Sequence, residues 1–210
     1  MAKLLYVTCD LRPDDQSSSL IAGLRFQNEY LKWNPRDELH WLDLYRDSIQ
    51  VADTDVLNAF EKMGRGHHLA TLATVEQRKI SRIWNLADQF VAADKYVLVA
   101  PMWKPGFPSE LWAYLDLVLV PGKTYRNTAR GPEGLLKGQK RKCLLIHGTE
   151  GFSYGERELH CVSQVREFMR FVGVEEFQSF VIEGADPALK ENSALLAKEL
   201  GKVAEAAARF

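Results

Sequence analysis

Three stretches of the 210-residue chain gather side chains able to hold or transform a ligand. The first, Asp10-Leu11-Arg12-Pro13-Asp14-Asp15-Gln16-Ser17-Ser18-Ser19, follows a short apolar run and leads into a helical pattern. Hydroxyls and free N–H groups at a helix N-terminus can hold a phosphate monoester, and serines there are equally what helix capping uses. Neither G-x-G-x-x-G nor the P-loop pattern is present, so a dinucleotide fingerprint and a nucleoside-triphosphate site are both unsupported. The second stretch, Met102-Trp103-Lys104-Pro105-Gly106-Phe107-Pro108, has prolines and a glycine that fix a backbone path. Met102, Trp103 and Phe107 would then form an apolar, polarisable surface suited to a planar ring, in a loop expected to be exposed. The alternative is a strand-ending turn whose aromatics fold back onto the core. The third stretch, His147-Gly148-Thr149-Glu150-Gly151-Phe152, carries glycines that admit close backbone approach of a ligand. His147, at a strand end, reads as a satisfied structural histidine, the alternative being a general acid or base with Glu150 as its acidic neighbour in a hydrolase reading, although no Ser or Cys nucleophile stands in a recognisable elbow. The pair His67-His68 has no carboxylate at ligand spacing, and no metal site is expected.

Apolar runs that read as strands span Lys3 to Cys9, Glu38 to Leu44, Lys95 to Pro101, Lys142 to His147 and Glu176 to Glu183. Helical patterns separate them. Ile80, Ile83, Trp84, Ala87, Phe90 and Val91 share one face, as do Leu196, Leu200, Val203 and Ala207, with Pro187 read as a first-turn proline. Alternating strands and helices predict an α/β protein with a parallel sheet covered on both faces, and ligands then collect beyond the carboxyl ends of the strands, where strand order reverses. The over-long second interval, with its excess from Asp53 to Thr74, reads as a short helix plus a surface loop. No repeat or linker divides the chain, so residues 1–210 are read as one domain.

Composition narrows the partners. With 27 basic against 28 acidic residues the net charge is −1, which argues against a nucleic-acid partner held by a global field. The longest stretches free of Asp, Glu, Lys and Arg, Gln16–Leu24 and His67–Val75, run nine residues, about half of what a membrane-spanning helix needs. No signal-peptide pattern opens the sequence, and a cytoplasmic location is expected. Cys9, Cys143 and Cys161 are odd in number and widely spaced, which suits buried small hydrophobes rather than disulfides or a zinc site.

The residues Ala2-Lys3-Leu4-Leu5-Tyr6-Val7-Thr8, Ala93-Asp94-Lys95-Tyr96-Val97 leading into Pro101-Met102-Trp103, Ala113-Tyr114-Leu115-Asp116, Gly122-Lys123-Thr124-Tyr125, Gly131-Pro132-Glu133-Gly134-Leu135 and Phe171-Val172-Gly173-Val174 carry a resemblance that covers essentially the whole chain. With them the sequence resembles the FMN-dependent NADH azoreductase and NAD(P)H quinone reductase family, as a divergent member. The resemblance implies a flavodoxin-like three-layer sandwich with a five-stranded parallel sheet in the order 2-1-3-4-5. It also implies a homodimer with one FMN per subunit, and ping-pong transfer of two electrons from NADH or NADPH to a quinone or azo compound. The cofactor-binding positions it implies are Asp10, Gln16, Ser17, Ser18, Met102, Trp103, Lys104, Pro105, Gly148, Thr149, Glu150 and Gly151; FMN carries the chemistry, with no catalytic side chain and no metal.

Several of these positions depart from the family pattern. Lys104 and Pro105 stand in place of Asn and Phe/Leu, Asp10 in place of a serine, and Gln16 at the first position of a Ser-x-Ser cradle whose second serine is Ser18. Thr149-Glu150-Gly151 replaces Arg-Gly-Gly, and Asn127 an aromatic residue. Each close carboxylate among Asp10, Asp14 and Asp15 would oppose a phosphate by on the order of 1 kcal/mol, with Arg12 as the nearby cation able to offset them, so the expectation is weakened FMN binding. The alternative reading is a non-catalytic flavodoxin-like dimer that has lost the cofactor.

Overall fold

The protein's computed structural model describes residues 1–47, 49–103, 105–149 and 159–210. In chain order the elements are β1 (Lys3–Thr8), α1 (Ser18–Trp33), β2 (Glu38–Asp43), α2 (Thr54–Gly64), α3 (Thr74–Ala92) and β3 (Lys95–Pro101). Then follow α4 (Ser109–Leu117), β4 (Tyr125–Thr128), β5 (Gly131–Gly134), β6 (Lys142–Gly148), α5 (His160–Val172), β7 (Glu176–Ile182) and α6 (Ser193–Arg209). The five apolar runs form one parallel sheet in the order β2-β1-β3-β6-β7, the expected 2-1-3-4-5 arrangement.

Period-two alternation sorts the strand side chains between two cores. Leu4 and Tyr6 of β1, Val97 and Val99 of β3, and Leu144 and Ile146 of β6 meet Leu20, Phe26 and Tyr30 of α1 and Val203 and Ala207 of α6. Their neighbours Leu5, Val7, Leu98, Ala100, Cys143 and Leu145 face the opposite way, onto Phe90 of α3, Leu111 of α4 and Val165 and Met169 of α5. Residues beyond the first in β1, β3 and β6 are all buried, which is why these strands read as continuous apolar runs. The excess between β2 and β3 is α2 plus a short 3-10 turn at Leu69–Thr71, as expected, and α2 buries Val56 and Ala59 in a satellite core with Ile80 and Ile83.

Two features differ from expectation. Pro187 does not open α6, which starts at Ser193; Asp186 instead accepts the Ala188 N–H at 2.9 Å through Oδ1, and the Leu189 N–H bonds its carbonyl at 3.2 Å, so a side-chain-stabilised turn takes up Pro187. The antiparallel hairpin of β4 and β5 had no apolar alternation to announce it. It is held from outside: the Leu136 N–H bonds Val172 O at 2.9 Å, and Gly173 ends α5 at φ 111°, where an added Cβ would lie 2.5 Å from the Lys137 nitrogen. The buried Arg141 fastens the same region by donating to Ala93 O at 2.9 Å, Leu136 O at 3.1 Å and Val91 O at 2.7 Å. Among the described residues no helix is long and apolar enough to cross a membrane.

Candidate functional site

Strand order reverses at β1 and β3: the chain leaves β1 for β2 on one side and leaves β3 for β6 and β7 on the other. A crevice at the carboxyl ends of these strands is where such sheets take ligands. The loop stems are locked to each other by backbone bonds, Cys9 N–H to Val99 O at 2.9 Å, Met102 N–H to Gly148 O at 2.8 Å and Thr149 N–H to Ile182 O at 3.1 Å. Three loops remote in sequence therefore meet on a rigid base.

At the α1 end, Ser17 is the N-cap, with extended backbone, and its Oγ accepts the Leu20 N–H at 3.2 Å. The same oxygen lies 2.9 Å from Ser19 Oγ. Two of the three serines are thus spent on starting the helix, the capping role the spacing also allowed. Ser18 is different: its Oγ is buried and has no partner. Gly148 makes this arrangement possible, because a Cβ there would fall 2.3 Å from Ser18 Oγ. A buried hydroxyl left unpaired is costly, and the first-turn amides of α1 have no acceptor inside the helix. Together they have the donor chemistry that suits an anionic oxygen ligand.

Of the acidic residues beside this cradle, one is offset by Arg12, as its position in the sequence allowed. The Asp10 side chain is fully covered and is gripped by Arg12, Nη2 to Oδ2 at 2.8 Å and Nε to Oδ1 at 3.2 Å, with the Arg12 N–H adding a bond to Oδ1 at 3.0 Å. A bidentate guanidinium matches the charge of Asp10 locally. Asp14, Asp15 and Gln16 lie on an exposed 3-10 turn, with the Gln16 N–H bonded to Pro13 O at 3.0 Å.

In the loop after β3 the alternative, folding back onto the core, holds for two of the three apolar side chains. Met102 and Phe107 do not line a surface; they are 3% and 7% exposed and pack into the core under α4, since burial of their large apolar area outweighs presentation to water. Trp103 alone of the three stays out, 40% exposed, with its ring stacked on Tyr45 at 6.3 Å between centroids and 29° between planes. Pro105 is exposed beside it, and Gly148 and Thr149 are buried on the opposite loop. Lys104, Glu150 and Gly151 lie outside the described residues.

His147 is buried edge-on to Phe107, 5.6 Å between ring centroids, and its Nδ1 has no partner. Burial pushes its pKa down to about 4, so the imidazole is neutral at physiological pH and stored away from solvent. Glu150, its partner in the hydrolase reading, falls among the residues not described. Among the described residues no group of three His, Cys, Asp or Glu side chains is arranged for a metal, and His67 and His68 are exposed. Of the residues that build this site, the sequence reading missed Tyr45. The signal for Tyr45 was available, since it follows the carboxyl end of β2 as the other site loops follow theirs.

The protein family described as having the flavodoxin-like fold matches residues 2–206. The chain belongs to that flavodoxin-like family. Within it, an FMN-dependent NADH:quinone oxidoreductase of Geotalea uraniireducens is 55% identical over 186 residues, covering 89% of each chain. The protein of the same name from Trichlorobacter lovleyi is 48% identical over 100% of both. Among solved structures, an azoreductase from Bacillus anthracis superposes with a TM-score of 0.87 at 29% identity over 100% of both chains. An FMN-dependent NADH-azoreductase of the same species, in complex with FMN, gives 0.88 at 26% identity over 100% of this chain and 99% of its own. This flavodoxin-like site fits FMN on its own evidence: the unpaired Ser18 hydroxyl and the α1 amides suit a phosphate monoester, and the outward indole of Trp103 suits a planar ring.

Proposed function

We propose that the protein is an FMN-dependent oxidoreductase that takes two electrons from NADH or NADPH and delivers them to a quinone or azo compound. The observation that carries this reading is the Ser18 hydroxyl, buried without a partner at the N-terminus of α1 in space that a side chain at position 148 would fill. Ser18 and the first-turn amides would hold the phosphate, while Ser17 and Ser19 fix the cap that orients them. Trp103, Pro105, Gly148 and Thr149 would line the ring. FMN, when bound, supplies the hydride chemistry; the protein supplies orientation, electrostatics and exclusion of water. Arg12 offsets the charge of Asp10, which weakens the charge argument behind a cofactor-free scaffold. High identity to relatives named for FMN, NADH and quinone supports the same choice.

Residues 1–210 would act as one cytoplasmic domain paired in a homodimer, with one FMN per subunit and donor and acceptor taking turns at one site. The purified protein mixed with FMN should turn yellow, with a perturbed visible spectrum, and oxidise NADH when a quinone is added. A colourless protein that leaves free FMN unperturbed and NADH unconsumed would refute the proposal.

A further inference from the structure

Trp103, one of the side chains proposed to line the ring, belongs to a loop rather than a strand and stacks on a neighbour from another loop. The turn after β2 is fixed first: Asp43 Oδ1 accepts the N–H groups of Tyr45 at 3.0 Å and Arg46 at 3.1 Å, and Asp47 returns its carboxylate to the Asp43 N–H at 2.9 Å. The Leu44 N–H is tied to Thr8 O at 2.9 Å, so the turn is anchored to β1. Tyr45 projects from this turn. Its hydroxyl donates to Glu110 Oε2 at 2.8 Å, an oxygen that also accepts from Ser109 Oγ at 3.1 Å in the first turn of α4. Burial, reinforced by the adjacent Glu110 carboxylate, pushes the Tyr45 pKa up, so the phenol keeps the proton it donates. A phenol ring pinned at its backbone and at its hydroxyl is a fixed plane, and Trp103 stacks on it at 6.3 Å.

We propose that Tyr45 is a positioning residue: held between Asp43 and Glu110, it sets the Trp103 indole in the orientation that receives the flavin ring, so the β2 turn contributes to FMN binding without touching the cofactor. The inference rests on the reading of Trp103 as a ring-binding side chain. A double-mutant cycle separates the two. FMN dissociation constants are measured by quenching of flavin fluorescence for the unaltered protein, Trp103→Leu, Tyr45→Leu and the double variant, with the thermal midpoint of each apoprotein alongside. Trp103→Leu should weaken FMN roughly three- to tenfold, and Tyr45→Leu by a similar factor. The double variant should bind as Trp103→Leu alone does, within about twofold, and Tyr45→Leu should shift the visible absorption bands of bound FMN in the same direction as Trp103→Leu. Effects that multiply in the double variant, or a Tyr45→Leu protein that binds FMN as tightly as the unaltered one, would overturn the role of Tyr45 and leave the site reading in place. An unchanged constant in Trp103→Leu would instead overturn the reading of Trp103, and the inference with it. Should Tyr45→Leu fail to fold, Glu110→Ala takes its place in the cycle: it removes the hydroxyl anchor alone, and its effect must vanish in the Trp103→Leu background.

Discussion

Ser17 and Ser18 carry the same hydroxyl in opposite circumstances, one spent on the Leu20 amide and the other unpaired. The two therefore respond differently to the same substitution. Ser17→Ala removes a helix cap and should lower apoprotein stability by about 1 kcal/mol, read from its thermal midpoint. Ser18→Ala removes a buried, unsatisfied polar atom and should leave that midpoint unchanged or slightly raised, while FMN affinity falls roughly tenfold for one lost hydrogen bond to a charged group. Equal FMN affinity in Ser18→Ala and the unaltered protein would place the phosphate elsewhere. His147 adds a pH signature. Its pKa is about 4 in the fold against an ordinary value of 6.5, so the unfolded chain binds the extra proton first. Its contribution is fully present above about pH 6.5 and is lost as the pH falls toward 4, by roughly 3 kcal/mol across the window. Apoprotein carrying His147→Leu should show a flatter loss of thermal stability between pH 6.5 and 4; parallel curves would contradict the burial argument.

At the scale of elements, apolar periodicity was a sufficient guide wherever a segment packs on the sheet, and it was silent wherever a segment is held by polar contacts. Every sheet strand and the buried faces of α3 and α5 follow their side-chain spacing. The β4–β5 hairpin, Tyr-Arg-Asn-Thr paired with Gly-Pro-Glu-Gly, has no such pattern and exists because α5 and Arg141 supply partners from outside it. Arg141 spans the connection: its guanidinium satisfies the carbonyls of Val91 and Ala93 at the end of α3 and of Leu136 after the hairpin. Arg141→Met keeps much of the volume but leaves three carbonyls to find water, and should cost about 3 kcal/mol in a denaturant titration. A loss below about 1 kcal/mol would show that these carbonyls are satisfied without it.

For the whole molecule, the parallel sheet order brings the loops after β1, β3 and β6 together at one end of the sheet, and that is a property no single segment holds. Leu11, Val51 and Trp103 are exposed apolar side chains in the segments that follow β1, β2 and β3, and the proposed homodimer is tested at this scale. Light scattering at micromolar concentration should return twice the 23.9 kDa chain mass, and a single-chain mass would argue against the homodimer.

What the sequence determined alone is the architecture: alternating strands and amphipathic helices bury their apolar faces as a parallel sheet covered on both sides, and the serines at the start of α1 mark where that helix is capped. Tertiary structure decided which of the named residues are available. It drew Met102 and Phe107 into the core, paired Asp10 with Arg12, consumed the Ser17 hydroxyl and left Ser18 unpaired against Gly148. The physical reason is that burial and hydrogen-bond satisfaction depend on neighbours brought together by the sheet, such as Tyr45 and Trp103, which lie far apart along the chain.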